Sequence, residues 1–369
     1  MADIRLQRLA QVLVDYSFAI KKGDLFAIQG GAESQPLMKE VFRLAVKKGA
    51  HVEIYPALPE IKPIFLKNAG AEQLKWVPLQ VRSLLADYDK NMTVFGSSNT
   101  KELSNVPAAK LKDSMLAVKK LREKFFQRMA EGKVHWCGTA FPSNALAQEA
   151  GMSLEEYEDF VYGACLCDKK NPVARWQAIS RKQQKIAKFL NRIKEIHIVA
   201  PGTDIRASVK GRKWENCDGR MNFPDGEVFT GPVENSVNGH IRFSFPGIYM
   251  DREIEDIRLE FKNGKVVNAT AAKGEDLLRQ LLETDPGAKY VGELAIGTNY
   301  GIQAFTRNML FDEKIGGTVH LAVGAGFPET GSKNKSTLHW DMLCDMRQNG
   351  RIYGDGRLIY KNGKFTRKF

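Results

Sequence analysis

Six histidines and five cysteines are few for a chain of 369 residues, and long apolar runs are missing altogether. Cys137, Cys165, Cys167, Cys217 and Cys344 are scattered and odd in number. Such a count suits a reducing compartment, the cytoplasm, better than a disulfide framework. Cys165 and Cys167 form a CxC pair with no second pair to complete a zinc ribbon. No apolar stretch approaches the roughly 18 residues of a membrane-spanning helix. The opening "MADIRLQRLAQVLVDYSFAI" carries Asp3, Arg5 and Arg8 and lacks the apolar core of a signal peptide. "IQGGAES" follows an apolar run but has neither GxGxxG nor GxxxxGKS/T spacing, so it reads as a glycine strand end. A GxSxG nucleophile elbow is also missing.

What is present is the composition of a folded soluble protein, 43% hydrophobic and 27% charged. The formal charge of +12 lies largely in helical stretches such as "LAVKKLREKFFQRMAEGK" and "SRKQQKIAKFLNRIK". No interleaved aromatics accompany them, so the charge reads as solvated helix faces rather than a nucleic-acid surface. The length exceeds what one core usually fills. In the first half helical and strand patterns alternate: Leu9, Val12, Leu13 and Tyr16, then "DLFAIQGG", then Leu37, Val41, Leu44 and Ala45, then "HVEIYPAL". A mostly helical stretch follows, then "MTVFGS", a helix near 107–132, "VHWCGTAFP" and a basic helix near 173–194. Beyond it, short strands alternate with turns such as "KNGK", a hairpin signal. We expect residues 1–192 to form an α/β domain with a mainly parallel sheet, and 193–369 a β-rich α+β domain.

The second half places polar residues where packing alone explains them poorly. In "STLHWDML", a strand would turn His339 and Asp341 to one face and Leu338, Trp340 and Met342 to the other. Glu293 stands inside the apolar "YVGELAIG", and His320 inside "TVHLAVG". Glu227 follows a Pro/Gly turn in "NFPDGEVFT", and Glu313 precedes a glycine turn in "FDEKIGG". Glu227 also reads as a carboxylate capping its turn, and Glu313 as a surface charge paired with Lys314. His51, His135 and His197 read as packed or edge histidines in strands, and His240 as a residue at a turn. Burying a lone carboxylate is costly unless it is paired or metal-bound. Four acids and two histidines without thiolate suit a divalent ion such as zinc, cobalt, manganese or magnesium. A single zinc takes about three or four ligands, so six side chains suffice for two ions. Such a pair ionises a water and stabilises a developing oxyanion, the chemistry of amide, ester or phosphate hydrolysis.

The set "PDGEVFTGP", "GELAIGTN", "LFDEKIGGTVHLAVG" and "PETGSKNKSTLHWDM" resembles the aminopeptidase T family of cytoplasmic metalloaminopeptidases. "LAQVLVDYSFAIKKGDLFAIQGG" and "AVKKGAHVEI" extend the resemblance over nearly the whole chain. It implies a two-domain, dimeric enzyme that removes N-terminal residues from short peptides with two divalent ions. It also implies a ligand set of Glu227, Glu293, Glu313, His320, His339 and Asp341. Glu293 and Asp341 are then the candidates for bridging the ions or holding the nucleophilic water, with Glu293 as the catalytic carboxylate. One departure stands out. The family often has a tyrosine before "PETG", where this chain has Phe327. A phenyl ring cannot donate a hydrogen bond to an oxyanion. Two alternatives therefore remain: another dinuclear hydrolase, and a metal-binding member without catalysis.

Overall fold

The computed structural model describes residues 3–249 and 252–369. The chain divides into two compact units, and the partition falls inside the helix Pro172–Leu190. One unit runs up to Trp176 and takes back the short segment Gly219–Pro224; the other holds Gln177–Asp218 and Asp225–Phe369.

The first unit is built on a five-stranded sheet. Its spatial order is His51–Ala57, Leu25–Gly31, Lys90–Phe95, His135–Ala140 and Asn222–Phe223. Every neighbouring pair is parallel, as the helix–strand alternation predicts. The helix Gln35–Lys47 buries Leu37, Val41 and Ala45, three of the four residues expected on its inner face. Two expected helices are in fact pairs. Ala71–Lys75 and Leu79–Ala86 are separated at Pro78, which lacks an N–H and restricts the residue before it. Ala108–Ala117 and Lys119–Ala130 are separated at Val118, whose ψ of −2° turns the chain.

The second unit packs two antiparallel sheets around one apolar cluster. The larger has eight strands, with Glu195–Ala200 and Thr203–Ser208 at its middle. Both "KNGK" segments turn hairpins in it, with Asn263 and Asn362 at positive φ. His240 lies inside the strand Asn238–Arg242 rather than at a turn. The smaller sheet runs in the order His339–Asp345, Thr318–Gly324, Val291–Gly297, Glu227–Thr230 and Glu215–Cys217. Its inner face supplies Val228, Leu294, Ile296, Val319, Leu321, Val323, Trp340, Met342 and Cys344 to the cluster. Residues between these face the other way, and they include most of the polar candidates. No helix of the described residues is long and apolar enough to cross a membrane.

Candidate metal centre

The outer face of the smaller sheet is a register of chemistry separated by small side chains. Ala322 pairs with Glu293 on one side and Asp341 on the other, so these three form one row across three strands. The next row is Ala295, His320 and Leu343. Gly324 stands beside His339, and Gly297 beside Glu227. Alanine and glycine at 295, 297, 322 and 324 leave the space above the sheet to the longer polar groups. Two backbone devices aim them. The register shifts between Val291 and Glu293, a bulge of the kind that redirects a side chain. Gly226 has φ +132°, and a Cβ there would meet the Asn299 Cβ at 2.7 Å. This close approach lets Asn299 Nδ2 donate to the Asp225 carbonyl at 2.8 Å, fixing the turn into Glu227.

All six predicted residues converge. His320 Nε2 lies 3.3 Å from Glu227 Oε2, 3.6 Å from Glu293 Oε1 and 3.9 Å from Asp341 Oδ1. His339 Nε2 lies 3.4 Å from Glu293 Oε2 and 3.3 Å from Asp341 Oδ2. Glu293 and Asp341 thus each turn one oxygen to His320 and the other to His339. Glu313 joins through a group with His320 and Asp341 whose ligand atoms all lie within 4.8 Å of one another. His339 Nδ1 donates to the Ala325 carbonyl at 2.8 Å, which turns Nε2 toward the carboxylates. Its side chain is 30% exposed while that of His320 is 1% exposed, so the cluster opens on the His339 side.

The electrostatics follow from crowding. Burial opposes a charge on His320, but the neighbouring carboxylates of Glu293, Glu227 and Asp341 lift it to about 9. Burial opposes the His339 charge too; Asp341 and then Glu293 outweigh it and lift the imidazole to about 11. Burial raises the Glu227 carboxyl to about 8, against the pull of Lys314 and His320. Burial also raises Glu293, yet the neighbouring imidazoles of His320 and His339 bring it below its ordinary range and keep it ionised in the metal-free centre.

These residues fit divalent ions. Two ligands each about 2.1 Å from one tetrahedral ion stand roughly 3.4 Å apart. The imidazole-to-carboxylate separations bracket that value and exceed a normal hydrogen bond. Glu227 Oε2 and Asp341 Oδ1 are buried and accept no hydrogen bond among the described residues. Such atoms, aimed at one point together with imidazole nitrogens, are the donors a hard or borderline cation takes.

The sequence matches the family described as thermophilic metalloprotease (M29) over residues 2–365. The chain belongs to the M29 metalloproteases. Among relatives of this M29 chain, aminopeptidase AmpS of Bacillus subtilis (strain 168) is 26% identical, the match covering 98% of each chain. Aminopeptidase T of Thermus thermophilus is also 26% identical, over 95% of each. The solved structure of wild-type AmpT from Thermus thermophilus shares the fold, with a TM-score of 0.86 at 24% identity over 98% of this chain and 99% of that one. The 2,5-dihydroxypyridine dioxygenase of Pseudomonas putida KT2440 has a TM-score of 0.59 at 14% identity, covering 98% of this chain and 96% of that one. The architecture thus also occurs in a protein of different chemistry.

Two residues at the centre of this M29 chain, and a third that supports its approach, escaped sequence reasoning. Lys314 is not at the surface: its side chain is 1% exposed, and Nζ donates to Glu227 Oε1 at 2.8 Å and also to Glu313. Burial opposes its charge, but Glu227, Glu313 and Asp225 raise it well above the ordinary lysine value. Asp225, also 1% exposed, stands 3.7 Å from the same Nζ. Asp285 holds the approach to His339. Its carboxylate accepts from the Thr337 N–H at 2.7 Å and from the hydroxyls of Ser336 and Thr337. The one signal for Asp225 was its place in "PDGE", two residues before a ligand candidate.

Proposed function

We propose that the protein is a metalloaminopeptidase that releases N-terminal residues from short peptides, using water activated at a centre of two divalent ions. The observation that carries this reading is the division of Glu293 and Asp341 between His320 and His339. Two carboxylates that each face two imidazoles with different oxygens are placed to serve two ions at once. Glu227, Glu293, Glu313, His320, His339 and Asp341 would hold the ions. When bound, such ions supply Lewis acidity, polarising the scissile carbonyl and bringing a water's acidity toward neutral pH. Glu293 lies between the two imidazoles and is placed to accept a proton from the attacking water. The exposed edge at His339 is where a peptide enters, and the buried carboxylates attract its amino terminus. A homodimer and a cytoplasmic location belong to the same reading. The five free cysteines are in keeping with the latter.

Phe327 favours a second reading. Its ring stands edge-on to His339 with centroids 5.0 Å apart, and likewise to Phe229 at 5.3 Å, with no hydroxyl to offer. A member that keeps its ions yet hydrolyses other substrates, or none, answers to that residue. The two readings part on a panel of aminoacyl-p-nitroanilides and short peptides given to metal-free protein titrated with cobalt, zinc, manganese and magnesium. Turnover that rises toward two equivalents, and is lost in the double variant His339→Ala/Asp341→Ala, supports the aminopeptidase. Two bound ions without turnover of any peptide supports the second reading.

A further inference from the structure

Beside the histidine-lined cluster lies another group of ligand-type side chains. Cys217 Sγ and one oxygen each from Asp225 and Glu227 lie within 4.8 Å of one another. The edge strand Glu215–Cys217 pairs with Glu227–Thr230 and sets Cys217 directly opposite Glu227. The Gly226 turn carries Asp225 and Glu227 on either side of it. Thiolate with two carboxylates is a donor set that zinc, cobalt or cadmium accepts.

Lys314 stands in this group. Its ammonium is 2.8 Å from Glu227 Oε1 and 3.7 Å from Asp225 Oδ1, and it also bonds Glu313. We infer that the Lys314 ammonium is the resident cation of a third seat in the centre, one that would otherwise take a divalent ion on Cys217, Asp225 and Glu227. The inference rests on reading Glu227 and Glu313 as ligands of the neighbouring ions.

Two observations carry it. The first is the sorting of oxygens. Lys314 takes Glu227 Oε1, leaving Oε2 with no hydrogen bond among the described residues and 3.3 Å from His320 Nε2. The lysine thus divides Glu227 between two seats and presents a single oxygen to the histidine side. The second is charge. With metal bound, when Glu227 and Glu313 give up the protons that burial favours in the metal-free centre, Asp225, Glu227, Glu293, Glu313 and Asp341 bring five negative charges, and Lys314 reduces them to four, which two divalent ions cancel. Without the ammonium, the same carboxylates hold one uncompensated charge beside a thiol, which attracts a further cation. A covalently held cation also keeps Asp225, Glu227 and Glu313 in place before any metal arrives.

Cobalt separates the cases, because a thiolate ligand adds a near-ultraviolet charge-transfer band that carboxylate and imidazole do not. Metal-free wild type, Lys314→Ala, Lys314→Arg and Lys314→Ala/Cys217→Ser are dialysed against cobalt, then counted for metal and scanned. Lys314→Ala is expected to bind one equivalent more than wild type and to gain the band. Wild type and Lys314→Arg should lack the band, and the double variant should lose it. Equal counts without a band in Lys314→Ala, or a band already present in wild type, overturn the inference. If Lys314→Ala does not fold without metal, cobalt is added during refolding. Recovery of folded protein with the band supports the seat, and no recovery overturns it. The wild-type count alone judges the two-ion reading, whereas the difference between variant and wild type judges the third seat.

Discussion

The two faces of the second unit's five-stranded sheet share a backbone and differ in everything they bury. One face sets Leu294, Ile296, Val319, Leu321, Val323, Trp340 and Met342 into the core shared with the eight-stranded sheet. The other sets Glu227, Glu293, His320, His339 and Asp341 over a floor of Ala295, Ala322 and Gly324. The inner face gains from removing apolar area from water, at about 25 cal/mol per Å². The outer face holds like charges in a dry place and is costly by itself. The contrast shows how a strand serves both ends: stability from one set of alternate residues, chemistry from the other.

The largest expected effect is on the outer face. Glu293→Gln removes both the shared carboxylate and the proton acceptor. It should lower kcat/KM roughly 10²–10⁴-fold and reduce the cobalt count, with the far-ultraviolet circular dichroism unchanged. Leu321→Ala makes the opposite change on the neighbouring strand, beside the Ala322 that pairs with Glu293. Leu321 is 3% exposed in the core, so truncation should cost about 2–5 kcal/mol in urea unfolding of the metal-free protein. The metal count of that variant should stay at the wild-type value. A Leu321→Ala protein that loses metal, or a Glu293→Gln protein that keeps activity, would break the division between the faces.

A subtler change sharpens it. Phe327→Tyr adds a hydroxyl beside His339 and should raise kcat by up to roughly 10²-fold if a missing oxyanion donor limits the rate. The smallest effect is at Asp285, outside both faces. The Thr337 N–H, followed by the hydroxyls of Ser336 and Thr337, holds this carboxyl down to about 2 despite partial burial. A carboxyl whose pKa is depressed by folding contributes stability above its unfolded value of 3.8 and loses it as pH falls through the folded value. Wild type should therefore lose this contribution between about pH 4 and 2. Asp285→Asn should be less stable at neutral pH by about 1 kcal/mol, after allowance for solvent screening, and should lack that acid step.

The outer face was legible because a strand has period two. His339 and Asp341 stand out against Trp340 and Met342, and a lone Glu293 or His320 in an apolar run has no cheap explanation as packing. Lys314 was not legible, since Glu313–Lys314 in sequence reads as a solvated ion pair. Its burial comes from the turn after the short helix Met309–Asp312, which carries no periodicity to read. The bulge at Gly292 and the return of Gly219–Pro224 to the first unit were equally silent. The strand in that return, Asn222–Phe223, is two residues long, too short for any alternation. In the first unit the parallel sheet was legible from alternating patterns, while the break at Val118 was not, because valine interrupts neither the apolar spacing nor the charge pattern around it.

The most direct test of the central claim is anomalous X-ray scattering from crystals soaked in cobalt. Two peaks are expected, one beside His320 and one beside His339, with the carboxylates of Glu293 and Asp341 reaching both. A single peak, or two peaks that share neither carboxylate, would contradict it.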